Sequence, residues 1–314
     1  MAGIGGPAQQ VLAASVARRY YVDGLSKIAI AAEYDLSRFQ VARLLQRARA
    51  SGMVRIDIGS RGALDLDRSS QLQAAYRLRH AIVLDVDDGR PAVLGQQLGE
   101  AAAALLSEVL TAGDVLGLAG APALSALAGA LTRLPALSVV QLTGVPFHPE
   151  STESPSAAVR EVARSSGGRA YFFAAPLLVA DAAAARAQRR QPEVARAFDR
   201  FPAVTVAVVG IGLFRAGQSA LYDALDEPEQ RWLSRVGACA EVSGVLLDAD
   251  GHAVPELTDR VLGMSAAQLR TVPEVLAVTD GAATAPAVRA ALSGGLVNGL
   301  VTHAALADAL LATR

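Results

Sequence analysis

Between residues 25 and 50 the apolar positions recur at helical spacing, interrupted by one tight turn. In LSKIAIAAEYDLSRFQVARLLQRARA, Ser26 can cap a helix whose inward residues are expected to be Ile28, Ala31 and Ala32, small enough for a second helix to cross closely. The chain then turns through Glu33-Tyr34-Asp35-Leu36, with Leu36 expected to plug the turn. Ser37 opens a second helix, and Gln40 three residues on permits a capping box. Val41, Leu44, Leu45 and Ala48 fall at i, i+3, i+4 and i+7, which is one apolar stripe. At roughly 100° per residue, Phe39, Arg43, Gln46, Arg47 and Ala50 lie opposite that stripe. After Gly52 the alternating Met53–Ile58 reads as a short strand, a wing beside the helix pair, and Gly59-Ser60-Arg61-Gly62 ends it.

From residue 81 the rhythm changes to short apolar runs separated by alanine-rich helical stretches. The runs are AIVLDV (81–86), VLGLAG (115–120), VVQLTG (139–144), AYFFAAPLLV (170–179), VTVAVVGIG (204–212), VSGVLLD (242–248), VLAVTDG (275–281) and GLVNGLVT (295–302). Helices are expected over 94–111, 123–134, 183–200 and 284–293. Continuous apolar strands with helical crossovers predict an α/β domain, a doubly wound and mainly parallel sheet covered on both faces. Residues 64–80 read as a polar, helix-compatible connector that would also serve as a dimer contact. The expected division is therefore a helix-turn-helix domain over 1–60, a linker or oligomerisation helix over 61–80, and an α/β domain over 81–314.

Charge sharpens the contrast between the two ends. Residues 1–62 hold nine Lys/Arg against four acids, a net +5, although the whole chain is −1. A basic N-terminal module on an acidic body is the footprint of an end that meets a polyanion. The one cysteine, Cys239, excludes a disulfide scaffold and fits a reducing cytoplasm. No run of 18 apolar residues and no signal-type N-terminus is present, so neither export nor a membrane span is expected.

The outward face of the second helix is suited to the major groove. Arg43 would fork onto a guanine edge, Gln40 onto an adenine unless the capping box occupies it, and Phe39 would touch a thymine methyl. Lys27, Ser37 and Arg38 sit near helix N-termini, where phosphate contact is the expected role. Arg47 and Arg49 read equally well as DNA contacts or as solvated surface charges.

In the body, parallel sheets bind ligands beyond the carboxyl ends of their strands, in glycine-rich turns. Gly117-Leu-Ala-Gly120-Ala121-Pro122, Thr143-Gly144, Gly210-Ile-Gly212 and Asp280-Gly281-Ala-Ala-Thr284 are such turns, although an α/β domain also needs tight turns for purely structural reasons. Asp248, Asp250, Asp259 and Arg260 would bind sugar hydroxyls or phosphate, or else form a DADG turn and a surface ion pair. His80, His148, His252 and His303 are scattered without metal-ligand spacing, and no GxSxG elbow, P-loop or GxGxxG fingerprint occurs. Lys27 is the only lysine, so the body has no Schiff-base chemistry and any anion must be held by arginine, backbone amides and hydroxyls. No cofactor, catalytic residue or metal is expected.

The order of these motifs resembles the SorC/DeoR-type bacterial regulators, in which a helix-turn-helix precedes a sugar-binding domain. The resemblance is carried by LS…IA…LSRFQVARLLQRAR (25–49), GMVRIDI (52–58), VVQLTG, APLLV (175–179), VVGIG (208–212), LDADGHAV (247–254), DRVLGM (259–264) and ALSGGLVNGLVT (291–302). It implies a body related in fold to ribose-phosphate isomerases and glucosamine-phosphate deaminases, used as a sensor. It implies also a sugar, polyol or phosphosugar effector that alters DNA binding, as a repressor, by a homodimer or homotetramer. The family's first loop often reads G-x-G-W-G-R-T-L; GLAGAPAL stands here, with Gly120, Pro122 and Ala123 where tryptophan, arginine and threonine are usual. Its GG-x-x-K motif appears as Asp280–Thr284 without the lysine, and His303 stands where an aspartate often follows LVT. Segment 145–156 is polar and proline-bearing and reads as a variant pocket wall. The alternative reading, a sugar-phosphate isomerase or deaminase with an accessory module, would draw its base from Asp248, Asp280 or His148.

Overall fold

The computed structural model describes residues 6–54, 63–86, 89–121, 123–146 and 155–312. The chain forms two compact units, Met1–Gly59 and Ser60–Arg314. No helix among the described residues is long and apolar enough to cross a membrane.

The first unit is three helices: α1 (Pro7–Tyr21), α2 (Lys27–Glu33) and α3 (Arg38–Ala50). Its core is Val16 and Ala17 from α1, Ile30 from α2, and Val41, Leu45 and Ala48 from α3. The stripe expected on α3 is therefore the buried one, with Leu44 partly covered. The expected inward face of α2 needs correction. Ile28 is 67% exposed, whereas Ile30 is fully buried. A hairpin of two helices leaves that face undetermined; α1, which the apolar spacing did not announce, supplies the third wall and selects Ile30. Arg19 of α1 pairs with Glu33 of α2 at 2.7 Å and with Asp23 at 3.2 Å. Between α2 and α3 the chain reverses at Asp35, whose φ of 52° is a left-handed conformation that aspartate tolerates. Leu36 packs, partly buried, on the same core. Of the expected wing, residues 55–58 lie outside the described residues.

The second unit is built on a seven-stranded, all-parallel sheet. Its strands are β1 (His80–Leu84), β2 (Val115–Leu118), β3 (Ser138–Gln141), β4 (Ala170–Tyr171), β5 (Val206–Val209), β9 (Glu274–Val278) and β10 (Gly299–His303). A separate antiparallel sheet comprises β6 (Ile211–Leu213), β7 (Ala240–Val242) and β8 (Val245–Leu247). The parallel sheet runs in the order β1-β10-β9-β5-β2-β3-β4. Both of its faces are buried, which is why its strands read as unbroken apolar runs. Along β5, Val206 and Val208 enter one core with Leu98 and Leu127, while Ala207 and Val209 enter the opposite core with Val288 and Leu306.

Three runs differ from the expected single strands. VTVAVVGIG breaks at Gly210, so that β5 and β6 belong to different sheets. VSGVLLD belongs to a hairpin, β7 and β8, because Ser243 and Gly244 between the paired Val242 and Val245 take φ of 45° and 91°, as a two-residue type I′ turn requires. AYFFAAPLLV contributes only the two residues of β4; beyond them, Pro176 has no N–H for a ladder and the segment makes isolated bridges through Pro176 and Leu178. The helix expected over 183–200 is two helices, Ala182–Arg189 and Pro192–Phe198, since Pro192 suits a first turn but not an interior.

The connector expected over 61–80 contains α4 (Leu66–Tyr76), which is part of the second unit rather than a free linker. Asp65 caps it by accepting from the Arg68 N–H at 2.9 Å, and Leu72 is fully buried in the core. Arg68 also pairs with Asp308 at 2.7 Å, and the Tyr76 hydroxyl donates to the Leu310 carbonyl at 2.8 Å.

Candidate functional site

In the first unit, α3 begins with a complete capping box. The Ser37 hydroxyl accepts from the Gln40 N–H at 3.2 Å, and the Gln40 side-chain oxygen accepts from the Ser37 N–H at 2.7 Å. Gln40 is thereby committed at its oxygen to holding the helix start. Arg43 and Arg47 are exposed, on the side away from Val41, Leu45 and Ala48, and neither side chain has a hydrogen bond or ion pair among the described residues. Phe39, 75% exposed, stands beside them with the Arg38 guanidinium 5.9 Å from its ring centre. Lys27 lies 5.5 Å over the Tyr20 ring. This side of α3 is a basic face with an exposed aromatic ring. It has the composition of a surface that meets DNA.

In the second unit, β2 and β5 are neighbours whose continuations part. The chain leaves β2 for β3 on one side, while β5 leads on to the small sheet and β9 on the other. This is a topological switch point, where the diverging loops of an open α/β sheet leave a crevice. A cleft of about 480 Å³ lies there. Gly120 and Ala121 after β2, Thr143 after β3, Gly210 after β5, and Thr279, Asp280 and Gly281 after β9 line one side. Gly212, Gln218, Ser219, Glu241 and Ser243 of the small sheet and its loops line the other, with Thr284 at the base of the helix Ala285–Ser293. Its size is that of ordinary small-molecule sites.

Close backbone approaches explain two of the glycines. A Cβ on Gly210 would lie 2.9 Å from the Gly120 carbonyl oxygen, and one on Gly212 would lie 1.8 Å from that of Gln218. The Gly210 N–H donates to the Ser243 hydroxyl at 3.1 Å, tying the hairpin turn to the end of β5. Glu241 is the buried anchor of the far wall. Its carboxylate accepts from the Ser219 hydroxyl at 2.5 Å, the Leu221 N–H at 3.0 Å and the Gly244 N–H at 3.0 Å. Burial pushes its carboxyl pKa up, against the pull of those donors. Asp280 is half-buried, and its carboxylate has no hydrogen bond or ion pair among the described residues.

The cleft thus brings together Gly120, Ala121, Thr143, Gly210, Gly212, Gly281 and Thr284 among the residues expected at an effector site. Five others stand elsewhere. Gly117 sits under Leu142, whose side chain comes within 2.7 Å of where a Cβ would be, and Gly144 is where the chain crosses the Pro176 carbonyl oxygen, 2.4 Å from such a Cβ. Asp248 closes the DADG turn, accepting from the N–H groups of Asp250 at 3.0 Å and His252 at 2.8 Å. Arg260 donates to the Val179 carbonyl at 3.0 Å and pairs with Glu229 at 2.5 Å. Asp259 lies at a second hollow, with Phe198 and Met264. His148 lies outside the described residues. Glu241, Ser219 and Ser243 went unnoticed in the sequence; the one signal was a lone acid inside the apolar stretch CAEVSGVLL.

Comparison with known proteins agrees with this architecture. Residues 61–312 match the sugar-binding domain family described as "Putative sugar-binding domain". The transcriptional regulator LsrR of Klebsiella pneumoniae is 32% identical, over 97% of this chain and 94% of its own length. Among solved structures, the full-length sorbitol operon regulator SorC of Klebsiella pneumoniae superposes with a TM-score of 0.72 at 23% identity, covering 96% of this chain and 98% of its own, a likeness of fold. A domain of a possible sugar-binding transcriptional regulator from Arthrobacter aurescens gives 0.70 at 25% identity, over 82% of this chain and all of its own. The curated relative LsrR is a transcriptional regulator, which does not favour the isomerase or deaminase reading. A basic helical unit followed by this sugar-binding family's domain, and similarity to a regulator along nearly the whole chain, make the protein a member of the SorC/DeoR-type bacterial sugar-responsive, DNA-binding transcriptional regulators.

Proposed function

We propose that the protein is a cytoplasmic repressor, a homodimer or homotetramer, that grips a pseudo-palindromic operator with paired copies of its first unit. Arg43, Phe39 and Arg47 read base edges from α3, while Lys27, Arg38 and the Ser37 end of the helix hold phosphates; Gln40 contributes through its amide nitrogen. A sugar, polyol or phosphosugar bound at Gly120, Ala121, Thr143, Gly210, Gly212, Gly281 and Thr284 shifts the placement of the paired heads. The observation that carries this reading is the cleft at the switch point in a chain that also presents a basic helix face whose side chains Arg43 and Arg47 are unpaired among the described residues. The names of the relatives support the ligand class, since one solved neighbour is the regulator of a sorbitol operon. The energetics are modest: a ligand that moves the protein from almost wholly bound to almost wholly released needs about 5.5 kcal/mol of preference between two states.

Thermal unfolding of the full chain with sugars and polyols tests the cleft. A ligand at about a hundred times its Kd should stabilise the second unit by about 2.7 kcal/mol, raising its Tm by roughly 5–10 °C. Gly210→Val, whose side chain would press on the Gly120–Ala121 loop, should remove the shift. A shift of equal size in that variant would place the ligand elsewhere.

A further inference from the structure

Resting on the reading of the cleft as an effector site, we propose that its ligand is an uncharged polyhydroxyl compound, a free sugar or polyol, and not the phosphate ester. Among the described residues, none of those lining the cleft is a lysine, arginine or histidine, and two, Glu241 and Asp280, are carboxylic acids. The only lysine of the chain is Lys27, in the other unit. The positions outside the described residues that adjoin the lining in sequence, 122 and 147–154, contain Glu150, Glu153 and His148 and no lysine or arginine. The N-terminal amides of the helix Ala285–Ser293 are a source of positive potential here, reduced because Pro286 has no N–H.

The hydroxyl groups point to the same chemistry. Thr284 donates its proton to the carbonyls of Asp280 at 2.8 Å and Gly281 at 2.6 Å, and Thr279 donates to the carbonyl of Ile211 at 3.0 Å. Ser219 donates to Glu241 at 2.5 Å. With those protons used inside the wall, what these three hydroxyls have left to offer is oxygen lone pairs. Beside them stands the Asp280 carboxylate, two oxygens without a partner among the described residues. That unpartnered carboxylate needs donors from its ligand. A polyol supplies a donor at every hydroxyl, and two neighbouring hydroxyls fit one carboxylate. A phosphate dianion supplies none and faces the like charge of that carboxylate, with no side-chain cation among the described lining residues to offset it.

The test is calorimetric and thermal titration of the full chain with matched pairs: D-ribose and its 5-phosphate, D-glucitol and its 6-phosphate, glycerol and its 3-phosphate, and inorganic phosphate alone. An unphosphorylated member should bind saturably, its ester at least about tenfold more weakly, and inorganic phosphate should not bind. Asp280→Asn, which removes charge from a group with no partner to lose, should weaken the neutral ligand about tenfold or more while leaving the unfolding temperature of the free protein unchanged. An ester that binds as tightly as its parent, or saturable binding of inorganic phosphate, would overturn the proposal and leave the sugar-effector reading standing. Failure of every member of every pair, and of phosphate, would overturn that underlying reading as well.

Discussion

Replacing Arg43 with alanine should lower the protein's discrimination between its operator and unrelated DNA by about 5- to 150-fold, the equivalent of about 1–3 kcal/mol for a bidentate contact to guanine. The unit should stay folded. Arg43 is exposed, lies opposite Val41, Leu45 and Ala48, and its side chain takes part in no hydrogen bond or ion pair among the described residues, so its loss removes nothing that holds the three helices together. Arg38→Ala makes a useful contrast. It sits at the start of α3, where a phosphate contact weakens binding about equally on all sequences and reduces the salt slope by about one. Fluorescence anisotropy on specific and scrambled duplexes over a range of salt separates the two outcomes. Unchanged discrimination in Arg43→Ala would remove it from the reading face.

Glu241→Ala should destabilise the second unit by about 3–5 kcal/mol, a loss large enough to open the cleft. The carboxylate satisfies three donors, the Ser219 hydroxyl and the N–H groups of Leu221 and Gly244, and it lies buried between the loop before Leu221 and the β7–β8 turn. Alanine leaves the two amides, and the Ser219 hydroxyl, without the acceptor they share. Glu241→Gln keeps the shape and one acceptor oxygen, and should cost clearly less. Denaturant unfolding of both variants measures the difference; a loss below about 1 kcal/mol for the alanine variant would show that water replaces the carboxylate and that Glu241 is not the anchor of that wall.

The parallel sheet was legible because its strands are buried on both faces, which leaves an unbroken apolar run as a signature, as in β5 and β9. The three-residue strands of the small sheet carry no such signature. Only the glycines at 210, 212 and 244 marked where the runs break, and the choice between a bulge, a bend and a change of sheet rests on backbone approaches such as that of Gly210 to Gly120. The same limit applies to the site. Glycine turns located four of the strand ends that meet in the cleft, because tight turns and ligand loops draw on the same residue. Polar residues could not decide the matter: Asp248 and Arg260 read equally as ligand groups or as a DADG turn and an ion pair, and here one closes that turn while the other binds Glu229 and a carbonyl. Glu241 was hidden for the opposite reason, as a single acid in an apolar strand whose partners lie 20 and 22 residues away or across a turn. On α3 the spacing sufficed to tell the buried side from the outward side. On α2 it did not, since the side that faces inward depends on α1.

The most direct test of the account is operator affinity measured with and without ligand. Full-length protein selects its sites from a random pool of duplexes, and the enriched duplex is then titrated alone and with the sugar or polyol that stabilises the second unit. The account predicts enrichment of a pseudo-palindrome whose half-sites lie about one helical turn, or a multiple of it, apart, and a change in Kd of about tenfold or more on adding the ligand. Enrichment of no sequence, or a Kd that does not move while the cleft is saturated, would contradict it.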